Sequence, residues 1–181
     1  MGESPEPSLV EQCVAAAHGD LDRVRELVEG HPELVDARAP WNESPIEAAS
    51  QLGRKDIIDY LLSRGARLDF FAACVLGRID AVGAELDRDG SLAAAHGVHD
   101  LPALYFPVMA GERGVAELLL AHGAPVNGPA GTTGPLHAAV RSGRPELVRW
   151  LLEQGADPAL PDGQGRTATQ LAEAAGIELR R

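Results

Sequence analysis

A glycine recurs along this chain at a spacing that dictates what the chain can fold into. Gly19, Gly53, Gly77, Gly111, Gly143 and Gly176 each close a run of small apolar residues, and the intervals between them are 34, 24, 34, 32 and 33 residues. After each of the first five comes a second stretch with apolar residues at i, i+3 and i+4. Ile57-Ile58-Asp59-Tyr60-Leu61-Leu62 and Leu147-Val148-Arg149-Trp150-Leu151-Leu152 are examples, with the spacing of one helix face. Gly65, Gly123 and Gly155 then end these stretches, where a helix stop takes left-handed backbone. Two short amphipathic helices per period predict an all-α array of stacked pairs, because one pair cannot bury its apolar side alone.

Composition narrows the function. Of 181 residues, 45% are apolar and 24% charged, which excludes a disordered chain. Aromatics are only 4%, so the core must be built from Leu, Ala, Val and Ile. The formal charge is −11 and Lys55 is the one lysine, so the clustered cations that grip nucleic acid are missing. Residues 1–90 hold 18 acids and 9 bases, a net of −9, so a basic partner suits that half. No apolar run reaches the roughly 18 residues of a membrane helix. The start, residues 1–7, is acidic and Pro-rich, reads as disordered or extended, and does not resemble a signal peptide, so a cytoplasmic protein is expected. Cys13 and Cys74 sit in alanine-rich runs and read as small buried hydrophobes.

The motifs inside the period carry a resemblance. Gly134-Pro135-Leu136-His137-Ala138-Ala139 resembles the Thr-Pro-Leu-His-x-Ala signature of the ankyrin repeat family, with Gly155-Ala156-Asp157-Pro158 following in register. Ser44-Pro45-Ile46-Glu47-Ala48-Ala49 is a second copy, and Gly165-Arg166-Thr167-Ala168 opens a last one. The chain is similar to a bacterial-type single-domain ankyrin repeat protein over roughly residues 8 to 181. The resemblance implies a helical solenoid of about five helix-turn-helix units, near 8–40, 41–68, 69–99, 100–131 and 132–162, with a partial cap at 163–181. It also implies a β-hairpin finger in front of each pair, a structural role for His137, and protein binding as the activity. Pro45, Pro135 and Pro145 fit first helical turns, where proline loses no hydrogen bond.

Two departures stand out. The 24-residue interval runs Arg67-Leu68-Asp69-Phe70 almost directly into Phe71-Ala72-Ala73, so the third unit is expected to lack its finger and leave a notch. Its second helix leads into a long link over residues 87–100. In the fourth unit Tyr105 takes the histidine position and Pro107 falls inside the first helix, where a kink or a shortened helix is expected.

In the family the partner-facing concave side is formed by finger tips and by exposed positions of the first helices. Register then names the finger-side residues Trp41, Glu43, His99, Leu101, Thr133 and Arg166, and the helix-side residues His18, Gln51, Leu52, Val75, Leu76, Met109 and Arg141. Trp41, Leu52, Val75, Leu76, Leu101 and Met109 form an apolar row over units two to four. Such a row, if exposed, marks an interaction site, with Trp41 as its anchor and Glu43 and Arg141 setting orientation.

Templates for catalysis are absent: there is no Gly-x-Ser-x-Gly elbow, phosphate-binding glycine loop or paired Cys-x-x-Cys. The glycine-rich run 128–134 reads as a turn. His96, His99 and Asp100 supply too few donors for a zinc site, so no metal and no cofactor is expected. The leading expectation is a non-enzymatic module that binds another, unidentified protein. The alternative is a small apolar ligand, or atypical catalysis, in a pocket at the missing finger. Trp41, Leu52, Val75, Leu76, Leu101, Tyr105 and Met109 would line it, with Glu47, His99, Asp100 or Tyr105 as acid–base groups. A third reading has the acidic half covering a basic enzyme surface, which salt would weaken.

Overall fold

The computed structural model describes residues 7–129 and 131–179. The N-terminal extension, except Pro7, lies outside the described residues, as do Ala130 of the glycine-rich turn and the last two arginines of the cap. Among the described residues the regular structure is helical, the only β pairing being isolated bridges, and no helix is long and apolar enough to cross a membrane. The chain divides into two compact units, with the boundary between Asp69 and Phe70.

The first unit holds α1 (Leu9–Ala17), α2 (Leu21–Gly30), α3 (Pro45–Gln51) and α4 (Lys55–Ser63). Ser8 starts α1 with a reciprocal cap: its N–H donates to Glu11 Oε2 at 2.7 Å, and the Glu11 N–H donates back to its hydroxyl at 3.3 Å. Pro45 occupies the first turn of α3. Helix α1 packs on α3 and α2 on α4. Ala17, Ala48 and Ala49, all buried, let the short helices approach closely, while Val24, Val28, Ile57, Ile58 and Leu61 fill the layer behind them. Full burial of such an aliphatic side chain contributes about 1.5–3 kcal/mol. Between the two pairs the chain makes a tight finger. The Ala39 N–H donates to the Glu43 carbonyl at 2.9 Å, the Asn42 N–H to the Ala39 carbonyl at 2.8 Å, and Asn42 turns the tip at φ 64°.

The second unit runs α5 (Phe70–Val75), α6 (Ile79–Arg88), α7 (Tyr105–Ala110), α8 (Arg113–Ala121), α9 (Pro135–Arg141), α10 (Pro145–Glu153) and α11 (Ala168–Ala175). Helices α5, α7, α9 and α11 pack in succession, with α6 on α8 behind. Helix α5 begins at Phe70, directly after residues 66–69, which form no regular structure, so no finger precedes it. The link at 87–100 is more ordered than its sequence suggests. It makes a 3-10 turn, Gly90–Ala94, and then the finger of the fourth repeat, where His96 bridges Pro102 and a second 3-10 turn, Val98–Asp100, forms the end. His99 and Asp100 turn its tip at φ 55° and 58°, and His96 Nδ1 lies 2.6 Å from Asp100 Oδ1. Helix α7 starts at Tyr105, in register two residues later than α9. Pro107 therefore sits in the first turn and sacrifices no helical hydrogen bond.

Candidate functional site

The finger of the first unit places its side chains on a rigid base. The Trp41 side is half exposed, and its indole N–H donates to Glu43 Oε2 at 2.7 Å. Glu43 is only 2% exposed, although a sequence position on a finger suggested a surface acid. Its other oxygen, Oε1, accepts from the Gln51 amide and lies 3.6 Å from His18 Nε2. His18 Nδ1 is 3.1 Å from the Val14 carbonyl, which can only accept, so Nδ1 carries the proton. The Nε2 contact with Glu43 thus becomes an ion pair when the imidazole is protonated. Leu52, the residue after Gln51, is 49% exposed, against 50% for Trp41. Trp41 and Leu52 are thus the most exposed of the large apolar groups of the first unit, ahead of Leu9 and Leu68, and Trp41 is held in place by a buried carboxylate.

The rest of the expected apolar row divides differently. Val75 is fully buried and Leu101 nearly so, which removes both from any surface row. Val75 ends α5, which packs on α7, and Leu101 follows the two left-handed residues of its finger, which return the chain to the core. Leu76 and Met109 are half-buried. Tyr105 is buried at the histidine position. Burial pushes its phenol up to about 12, with the neighbouring Arg141 guanidinium acting against that rise, so it holds its proton throughout the neutral range. His99 and Asp100 are exposed at the tip of the fourth finger, and Glu47 belongs to the other unit.

Glu47, expected as an acid–base group, lines a hollow of about 310 Å³ in the first unit, and none of the residues expected as its walls does. Its neighbours there are ionic: Asp36, Arg38, Arg67 and Asp69, with Ser44, Ile46 and Leu68. Arg38 Nη2 meets Glu47 Oε1 at 2.6 Å, while Glu47 Oε2 accepts from the Ser44 N–H at 2.8 Å and its hydroxyl at 2.9 Å. Asp36 accepts from the Arg67 N–H at 3.3 Å. The sequence reading expected apolar walls for a pocket at the short interval. The walls of this hollow are instead residues on either side of the first unit's finger together with 67–69, and the charges Asp36, Arg38 and Arg67 carried no motif that would have named them.

In the second unit the corresponding groups are occupied. His137 Nδ1 accepts from the Gly134 N–H at 3.3 Å, and Nε2 lies 3.2 Å from the Arg166 carbonyl in the next finger. Burial lowers the His137 pKa, which favours this neutral form. Arg141 Nη2 is 3.8 Å from Asp162, whose carboxylate also holds the Arg166 guanidinium at 3.0 Å. Burial by itself would raise Asp162, but the Arg166 N–H and guanidinium and the Gln164 N–H outweigh it and hold the carboxyl at about 2. The folded value lies below the ordinary 3.8, so this stabilisation is complete above pH 3.8 and lost as pH falls toward 2. Asp162→Asn is expected to cost roughly 2 kcal/mol at pH 6. Thermal unfolding followed by circular dichroism checks it: the gap from the parent should close between about pH 4 and pH 2, and a gap constant with pH would refute the assignment.

A family model described as ankyrin repeats (3 copies) matches residues 70–162, just over half of the chain. Protein HOS4 of Saccharomyces cerevisiae is 33% identical over 113 residues, which cover 61% of this chain and 10% of that protein. Ankyrin repeat protein nuc-2 of Neurospora crassa is 32% identical over 136 residues, covering 69% and 12%. Potassium channel AKT1 of Arabidopsis thaliana is 42% identical over 78 residues, covering 41% and 9%. The chain thus spans about a tenth of the length of these curated relatives.

Proposed function

The chain belongs to the ankyrin repeat family, whose repeats are protein-interaction modules, and from that premise we propose that it binds another protein non-enzymatically through the Trp41–Leu52 side of its first unit. One observation carries this reading: a half-exposed indole is pinned by a buried carboxylate. Ordering a large side chain before binding reduces the entropy lost on association, and tryptophans of this kind are frequent hot spots. The neighbouring charge points to a basic partner, because residues 1–69 hold 14 acids and 7 bases, a net of −7. Leu76, Met109 and Arg141 of the second unit remain candidates for added contacts. The small-apolar-ligand reading draws on the hollow beside Glu47, but an ionic lining suits such a ligand poorly.

Trp41→Ala removes the anchor together with the indole N–H that Glu43 accepts, and leaves the aliphatic layer in place. It is expected to weaken binding of the cognate partner by about 2 kcal/mol, a factor near thirty, while the fold is retained with a small loss of stability from the donor taken from Glu43. Partner capture by the parent chain, followed by titration calorimetry on the variant, measures this. Full affinity in the variant would remove the site.

A further inference from the structure

The hollow beside Glu47 has an internal counterpart. Ser44, Ile46, Glu47 and Arg67 correspond in register, ninety positions on, to Gly134, Leu136, His137 and Asp157, and those four line the same place in the second unit. There the remaining space is only about 10 Å³, with Leu160 among its walls and the Arg166 carbonyl of the following finger 3.2 Å from His137 Nε2. In the first unit about 310 Å³ stands open, since α5 follows Asp69 with no finger between. The hollow is a finger slot whose finger the chain does not encode.

The polarity of the slot has also been reversed. His137 presents an N–H to a finger carbonyl. Glu47 keeps the capping role toward Ser44 but offers only acceptor oxygens, one of which is met by the Arg38 guanidinium. A finger of the second unit's kind would set its carbonyl against that carboxylate. The slot therefore suits a segment that brings donors, and its three carboxylates outnumber its two arginines.

We infer that this slot receives a turn of a partner protein bearing an arginine or lysine, which seats as a finger supplied from outside and pairs its cation with Glu47 and Asp36. The inference rests on the reading of the chain as an interaction module and is independent of Trp41.

A display library of disulfide-cyclised peptide turns, panned on the whole chain, tests it. The enriched sequences should carry Arg or Lys. Synthetic copies should shift the backbone amide resonances of residues 36–47 and 67–69. Glu47→Gln, which retains an acceptor for Ser44 while removing the charge, should weaken them at least tenfold. Leu68→Trp, which fills the slot from its rim, should do the same, and Trp41→Ala should leave the affinity for these peptides, as distinct from that for the Trp41-side partner, at the parental value. The inference is overturned if no turn enriches, if neutral or acidic turns enrich, or if the resonance shifts lie elsewhere. Loss with Trp41→Ala but not with Glu47→Gln would move the peptides to the Trp41 side and leave the proposed function standing. Competition by arginine amide at equal concentration would reduce the slot to a small-cation site and overturn the partner turn.

Discussion

Phe106→Ala is expected to destabilise the second unit by about 3–5 kcal/mol, the usual cost of deleting a buried ring. Phe106 is 1% exposed on α7, with its centroid 4.7 Å from that of Phe71 on α5 and 5.6 Å from that of Tyr105. It also closes on the fourth finger, where a side chain at Gly97 would come within 2.7 Å of its ring. The ring thus ties α5, α7 and the finger together, and its deletion leaves a cavity among them. Urea unfolding of the parent and variant measures the loss. A cost under about 1 kcal/mol would show that the site collapses on itself and that the aromatic cluster is not what joins α5 to α7.

The architecture was legible because its signals are local and periodic. The spacing of Gly53, Gly77 and Gly111 exposed the missing finger without any knowledge of contacts, and the apolar steps in Ile57–Leu62 and Leu147–Leu152 fixed the second helices. What escaped was the direction of single side chains in irregular places. Val75 and Leu101 both occupy positions that family register marks as exposed. One ends a six-residue helix with no finger before it, and the other follows two left-handed residues that no motif announces. The walls of the slot were hidden for a related reason. Arg38 and Glu47 are unremarkable charges in the sequence, and they meet only because the finger folds back between them. Glu43 was recognised as a site residue but assigned to the surface, because its partners are distant in sequence, His18 just after α1 and Gln51 at the end of α3.

Glu43→Ala should therefore act strongly on stability and on binding together, unlike a change at Trp41, which costs little stability. The carboxylate is the acceptor for the Trp41 indole and the Gln51 amide and faces His18, and it is almost wholly buried. Removing it takes an acceptor from the buried Gln51 side chain and opens a small void, together about 3 kcal/mol. The indole loses its hold as well. The other tryptophan, Trp150, is buried in the second unit, so a rise in acrylamide quenching of fluorescence reports on Trp41. Affinity for the partner should fall about tenfold even though the indole is present, because its ordering must then be achieved on binding. Glu43→Gln keeps one acceptor oxygen and should recover most of the stability. If Glu43→Ala lowers stability while quenching and affinity stay at parental values, the carboxylate only supports packing, and the pinned indole is not what makes this side of the first unit a binding surface.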